Sequence, residues 1–387
     1  MAESFDFIVV GAGLAGINAA LTLQNAGREV LIIDANDKPG GRIATDKVDG
    51  FLCDRGFQLI NARYPSLAEL NVIEEIDFIQ APRIIEVVIG DDRHSIGDPR
   101  IAPLSVLNKA TGSIPEKIAL LRVLVAKAKP EQSIGELLKS TGTTYERVLR
   151  PFLQGVFLAD PDLVDARFGL SVLRSFVSGS PGLPRNGVGA LPEALGKRIR
   201  NSIFNIRVDR ITGKILETSQ GTFTAKKIIV AADPTTSAQL LDLKEGIPMA
   251  GCITWYHATS ENPSGNGRLV IDGQHRGEVY NSLVVSDISS SYAPSGQHLV
   301  SSTRGLGATE SDVRRHLSIM WGVDTRDWNL IAKYEIPGAL PLHSIGKSLS
   351  QQIAISESIF LAGDHRTVPS QQGALFAGKL AAELALN

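Results

Sequence analysis

The stretch Phe5-Asp6-Phe7-Ile8-Val9-Val10-Gly11-Ala12-Gly13-Leu14-Ala15-Gly16 constrains this 387-residue chain more than any other. A short apolar run rich in β-branched residues and ended by glycine predicts a strand buried on both faces of a parallel sheet. Leu14 to Asn25 predicts a helix: Leu14, Ile17, Leu21 and Leu23 lie among alanines, and Gly27 stands where a C-terminal glycine would stop it. Glu29 to Asp34 predicts a second buried strand, which completes a βαβ unit. Strand and helix are joined by a GxGxxG pattern in its required context. Gly11 permits the tight turn, Gly13 lets backbone approach a pyrophosphate, and Gly16 lets the helix pack close to the strand. Leu14 and Ala15 open the helix, whose free N–H groups and partial positive charge favour phosphate. Asp34, followed by Ala35, lies 23 residues after Gly11, where a carboxylate accepts hydrogen bonds from a ribose diol. A dinucleotide with an unphosphorylated adenosine ribose is implied, and this unit alone leaves NAD and FAD both open.

The chain is too long for one core, which predicts two domains. Arg83 to Ile89, the turn-like GDD and RHSI predict a β-hairpin. Pro103 to Phe176 is a helical block, with segments such as PEKIALLRVLVAKAK and SIGELLKS between Gly and Pro punctuation. LPEALGKRI predicts a short helix, and FNIRVDRI, TGKILET and TFTAKKIIVAAD a meander feeding a buried strand. Gly251 to about Gly305 alternates apolar and polar, which predicts a second, mostly antiparallel sheet, with SDISSSYAPSG as a loop inside it. SIFLAGD is one more buried strand, and GALFAGKLAAELAL a closing helix.

A net charge of -2 and 21% charged residues argue against a nucleic-acid partner. Two distant cysteines, Cys53 and Cys252, form neither a disulfide framework nor a metal site, and fit a reducing cytoplasm. The first residues are acidic where an export signal needs basic ones, and no apolar run is long enough for a transmembrane helix, although peripheral membrane contact stays open. Lys117, Arg122, Lys127 and Lys129 do not gather on one face at about 100° per residue, so the helix carrying them reads as core or domain lining.

Two further motifs decide the cofactor. Gly40-Gly41-Arg42 lies six residues after Asp34, and Asp54-Arg55-Gly56-Phe57 follows. Far downstream come Gly363-Asp364 and then Ser370-Gln371-Gln372-Gly373-Ala374. Together they resemble the FAD-dependent amine oxidase superfamily, the group of monoamine oxidases, protoporphyrinogen oxidases and phytoene desaturase-like flavoproteins. The resemblance implies an α/β fold: a discontinuous Rossmann-like FAD-binding domain with an inserted α+β substrate domain, which holds the mostly antiparallel sheet and the helical block. Residues 1–80, 186–245 and 341–387 then belong to the FAD domain, and 81–185 and 246–340 to the substrate domain. It also implies roles. Gly41 and Arg42 pass the pyrophosphate and ribitol, Gly56 and Phe57 bring backbone to the flavin ring, and Asp364, after Gly363, binds the ribitol or reaches the pyrophosphate. The helix end at Gln372, Gly373 and Ala374 faces the pyrimidine side of the ring, and Val208 contributes backbone contacts to adenine. One departure stands out: the family usually carries Glu where this chain has Asp34.

The implied chemistry is hydride transfer to the flavin, which needs few catalytic side chains. Gly265-Asn266-Gly267 and Gly305-Leu306-Gly307 lack the third glycine of a nicotinamide site, so oxygen, a quinone or another organic acceptor is the expected oxidant. Lys333 is the one candidate for a lysine near the ring. His365 and Arg366 follow the GD motif, and Tyr256 and His257 alternate on a strand so that one of them faces inward. No catalytic base is assigned. With only six tyrosines, a small hydrophobic substrate is favoured over a cationic amine. The alternatives are an amine oxidase and a non-catalytic flavin- or NAD-binding assembly or regulatory protein.

Overall fold

The computed structural model describes residues 3–98, 100–243 and 246–387. Its first sheet is built from the apolar runs. Glu3–Val10 pairs in parallel with Val30–Ile33 on one side and with Gly221–Val230 on the other. Ile359–Leu361 and Ser202–Ile203 add parallel strands beyond these two. The predicted meander, Val208–Thr212 and Ile215–Thr218, pairs antiparallel with the early part of Gly221–Val230. Val10 stands level with Ile33 and Val230, and Val230 with Leu361. The loops after these four strands therefore share one edge. Because the chain crosses from Glu3–Val10 to neighbours on both sides, that edge is a topological switch point, where open α/β sheets bind ligands.

Helix Leu14–Asn25 matches the predicted bounds and is buried along most of its length between the sheet and the terminal helix Gln371–Leu386. Small residues let the two helices touch. A Cβ on Gly378 would lie 2.0 Å from the Ala15 carbonyl oxygen, and the buried Asn18 side-chain amide donates to Leu375 O at 2.8 Å. Lys227 donates to the last-turn carbonyl of Ala385 at 2.7 Å, which satisfies a free helix C-terminus.

The second sheet runs in the order Asn329–Pro341, Met249–Thr259, His298–Arg304, Asn281–Val284, Leu269–Asp272, Ile84–Ile89, Asp92–Gly97. All neighbours are antiparallel except Leu269–Asp272 with Ile84–Ile89. One face packs on the segment that follows the first glycine turns, where Tyr256, Leu283 and Leu299 share a core with Ile43, Phe51 and Ile60. The other is covered by helix Glu310–Trp321, where Ile253, Trp255 and Val300 meet Val313, Leu317 and Trp321.

Three expectations change. Tyr256 and His257 do point to opposite faces, but both are wholly buried because the sheet is covered on both sides. The serine-rich stretch contains two short 3-10 turns, Val285–Asp287 and Ser290–Tyr292, and buries Tyr292. Helix Ile114–Val125 lines a core along one narrow side only: Val123 is buried in the helical cluster, with Leu120 and Leu124 leaning on it, while its other apolar residues face outward. No helix among the described residues is long and apolar enough to cross a membrane.

Candidate functional site

The three glycines of the first turn differ in what surrounds them. A Cβ on Gly11 would lie 2.6 Å from Ala231 O, and one on Gly16 would lie 1.8 Å from Gly11 O, so both serve backbone packing. Around Gly13, the N-cap of the helix, no atom lies within 4 Å of that position. This open ground faces the free N–H groups of the helix, beside Leu14 and Ala15. Asp34 tightens the same turn: Oδ2 accepts from the Ala12 N–H at 2.5 Å, and Oδ1 from the Asn36 N–H and side-chain amide, both at 2.8 Å. A carboxylate has about four lone-pair sites, so Oδ2 keeps one for a ligand hydroxyl. Ala35 is exposed next to it. The amide of Ile206 donates to Asp34 O at 3.0 Å, which brings the segment leading to Val208 alongside.

The second glycine loop packs onto the first. Gly40 N–H donates to Ala12 O at 2.9 Å, and a Cβ on Gly41 would lie 3.4 Å from Gly13 Cα. Arg42 then ties three parts of the chain together, because Nη2 donates to Asp364 Oδ1 at 2.6 Å and Nη1 to Ala339 O at 3.1 Å. Burial penalises the guanidinium, but attraction to Asp364 and, farther off, Asp233 outweighs it and raises its pKa. Asp364 follows Gly363 at the level edge of the sheet and is almost wholly buried.

Gly56, with φ +87°, lies under the second sheet, where a Cβ would come within 2.9 Å of Ile336 Cδ1. The amide of Phe57 donates to Thr254 Oγ1 at 3.4 Å. Gln58 and Gln371 were not singled out by sequence reading, since neither glutamine departs from an ordinary loop or cap residue. Gln58 Nε2 donates to Arg42 O at 2.8 Å, and Gln371 Nε2 reaches Gln58 Oε1 at 3.3 Å. Gln371 Oε1 is buried with no partner. Gln372 points elsewhere, its carboxamide bonding the Ser66 N–H and hydroxyl. Ser370 caps the helix through the Gly373 N–H at 2.9 Å, and Ala374 is half-buried in the next turn.

A family model for flavin-containing amine oxidoreductases matches residues 14–386. The chain belongs to that family. Among relatives, protoporphyrinogen oxidase 1 of Spinacia oleracea chloroplasts is 28% identical over 186 residues, 42% of this chain and 31% of that protein. Putrescine oxidase of Kocuria rosea is 45% identical over 65 residues, 17% of this chain and 14% of that protein. Both are matched over less than a third of their own length. An oxidoreductase from Methanosarcina mazei shares the fold, with a TM-score of 0.76 at 16% identity over 97% of this chain and 99% of that one.

The site suits the family's flavin on three observations: the open ground at Gly13, the Arg42–Asp364 pair at the strand ends, and the orphan acceptor on Gln371. Among the described residues no group of three or more His, Cys, Asp or Glu could hold a metal ion.

The buried carboxyl of Asp54 nearby is already engaged. It accepts from Thr45 Oγ1 at 2.6 Å, the Val188 N–H at 3.1 Å and Tyr292 Oη at 2.9 Å. Burial outweighs these bonds and raises its pKa to about 6. The folded carboxyl therefore holds a proton that the unfolded one has released between about pH 4 and 6. Its contribution to stability is full below that window and is lost as pH rises through about 6. Asp54→Asn should gain on the parent by up to about 3 kcal/mol as pH rises from 4 to 7. Thermal melts of both proteins across that range test it, and a difference independent of pH would rule Asp54 out as the source.

Lys333 sits opposite Trp255 in the register, and its ammonium lies 5.9 Å from the Trp255 ring and 3.6 Å from Glu335. That is the face covered by Glu310–Trp321, whereas Tyr334 and Ile336 point toward Gly56 and the core that holds Ile43, Phe51 and Ile60. Lys333→Met should change the rate of flavin reduction by less than about twofold, read by stopped-flow absorbance. His365 is buried with both ring nitrogens unpartnered, and burial lowers its pKa to about 4 although Asp364 pulls the other way. It is neutral at pH 7. Arg366 donates to Gln352 O, away from the Arg42–Asp364 pair.

Proposed function

We propose that this chain is an FAD-dependent oxidoreductase that oxidises, desaturates or isomerises a small hydrophobic organic substrate, with oxygen, a quinone or another organic acceptor taking the electrons. The observation that carries the reading is the Arg42–Asp364 bond, which joins the GGR and GD motifs on the strand-end edge that also bears Gly13. When bound, the flavin supplies a site that accepts a hydride and passes electrons on.

The protein's part is binding and orientation. The N-terminus of Leu14–Asn25, with Gly11, Gly13, Leu14, Ala15 and Gly16 around it, receives the pyrophosphate. Asp34, beside Ala35, takes the adenosine ribose, and Val208 borders the adenine. Gly41, Arg42, Gly363 and Asp364 hold the ribitol stretch. Gly56 and Phe57 would meet one side of the ring, and Gln371 Oε1, buried without a partner, would be available to accept an N–H from it. The helix end at Gln372, Gly373 and Ala374 would turn the positive end of Gln371–Leu386 toward the pyrimidine edge of the ring and favour negative charge there, through the dipole rather than through the Gly373 and Ala374 N–H groups, which Ser370 already holds.

A hydrophobic substrate is supported by the walls around Gly56. Tyr256 and Tyr334 meet edge to face at 6.1 Å, but Tyr256 has no accessible surface and Tyr334 donates to Asp46 at 3.0 Å. Buried Tyr256 therefore offers no free face to an ammonium group. No side-chain base is assigned. Two buried free thiols, Cys53 and Cys252, support a reducing cytoplasmic setting.

The test is the visible spectrum of the purified protein, followed by anaerobic addition of porphyrinogens, carotenoid precursors, amines and NAD(P)H. Flavin absorption that hydrophobic donors bleach is the expected result. A colourless protein that FAD cannot reconstitute overturns the cofactor. Flavin that no donor bleaches favours the non-catalytic alternative, and bleaching by amines alone favours an amine oxidase. Rapid stoichiometric reduction by NADPH overturns the proposed direction of electron flow.

A further inference from the structure

Helix Ile114–Val125 is amphipathic in an unusual sense: its buried side is narrow and its apolar side faces outward. Ile114, Ile118, Leu121 and Val125 are 48%, 45%, 58% and 83% exposed. With 3.6 residues per turn they fall within an arc of about 60°, and the buried Val123 lies on the opposite side. The turn before the helix adds Leu104 and Leu107, exposed at 79% and 62%. Single exposed apolar side chains need no explanation, but six on one helix and its leading turn form a patch. The helix is held in this orientation by its ends. Ser113 and Glu116 form a capping box, and Lys117 donates to the carbonyls of Ser105, Val106 and Asn108, fastening the turn to the helix.

Charge says what covers the patch. Residues 100–131 contain six Lys or Arg against two Glu, a net charge of +4, while the whole chain is at -2 and the remainder therefore at -6. Lys109, Arg122, Lys127 and Lys129 are exposed along this stretch, while Arg100 is paired with Asp98 at 2.5 Å. A second copy of this chain meeting the patch about a twofold axis would set these cations against their own images. An anionic lipid surface matches both properties at once, because the apolar side chains enter the acyl boundary while the cations stay among the headgroups.

We propose that residues 100–129 form a docking surface that holds the protein peripherally on an anionic membrane, with the helix Ile114–Val125 lying in the interface plane. The surface is separate from the flavin site and does not depend on the cofactor reading.

The experiment is sedimentation of the full chain, in whatever cofactor state it purifies, with vesicles of phosphatidylcholine alone or mixed with phosphatidylglycerol. Binding to the mixed vesicles, weakening as salt is raised, is expected. Ile118→Asp/Leu121→Asp should lower the partition coefficient by at least about tenfold, and Lys127→Glu/Lys129→Glu should remove the dependence on the anionic lipid. Both variants should keep the parent's melting temperature and visible spectrum, since every substituted side chain is exposed. No binding to either vesicle, or equal binding by the aspartate variant, overturns the proposal. So does a parent dimer that the aspartate variant splits into monomers, because the patch is then an interface between copies.

Discussion

Gly13→Ala will fold almost as well as the parent and yet lose its flavin. The backbone at Gly13 has φ -75° and ψ 177°, which alanine adopts freely, and no protein atom stands within 4 Å of the new methyl group. The cost to the fold is that of alanine at an N-cap, a few tenths to about 1 kcal/mol, which shifts the melting temperature by only a few degrees. The methyl nevertheless fills the ground that a pyrophosphate must enter to reach the helix N–H groups, and the affinity for FAD should fall on the order of 100-fold or more. Gly16→Ala separates the two effects. Its methyl would lie 1.8 Å from Gly11 O and 3.3 Å from Ala231 Cβ, so the helix must move away from the strand. Overpacking of this kind costs about 1–3 kcal/mol or more. Melting curves and the ratio of visible to protein absorbance, measured on both variants, give the comparison. If Gly13→Ala purifies with a full complement of flavin, the phosphate is not where we place it.

Arg42→Met should cost stability and flavin together. Asp364 is 3% exposed, and Arg42 is the side chain that donates to its carboxylate. Breaking a buried pair by removing one partner costs about 3–5 kcal/mol. The Arg42 side chain is one-third exposed, so the lower end of that range or somewhat less, about 2–3 kcal/mol, is the reasonable expectation. Arg42→Met/Asp364→Asn removes the stranded charge and should recover most of the stability without recovering the flavin. Arg42→Lys keeps the charge but cannot reach Asp364 and Ala339 O with one planar fork, and falls between. A single Arg42→Met protein as stable as the parent would show that the pair does not hold these two segments together.

What the sequence made legible is what local chemistry decides. The strand ending at Val10, the helix from Leu14 to Asn25 and the meander after Val208 declare themselves through β-branched runs, glycine punctuation and turn spacing. Both flavin motifs could be read for the same reason, since each is a short glycine-led turn. The unread parts depend on what lies across space. That Asp54 is buried under Tyr292 depends on a serine-rich segment 238 residues away folding inward. That Lys333 faces the wrong way depends on which side of its strand the FAD domain covers. Gln58 and Gln371 meet across 313 residues and carry no pattern of their own. The helix Glu310–Trp321 was legible in principle: Thr309 caps it, Val313, Leu317, Met320 and Trp321 keep helical spacing, and Gly322 ends it at φ +66°. Helix Ile114–Val125 misleads because its apolar residues look like a core face, and only the structure shows that the protein lies on its other side.

Arg42 and Asp364 are 322 residues apart in the chain. At about 5–20 residues per second of synthesis, the first half of the cradle waits roughly 15–60 s on the ribosome for the second. Once Gly221–Val230 has been made, its edge that pairs with Ile359–Leu361 stays open for the rest of that interval, and the groove beneath Leu14–Asn25 that Gln371–Leu386 will fill stays empty. With Arg42 and Asp364 holding the ribitol as proposed, cofactor capture would be a late event in the life of a new molecule. The cell's supply of free FAD then acts on nearly finished chains and helps to decide how many of them reach the native state.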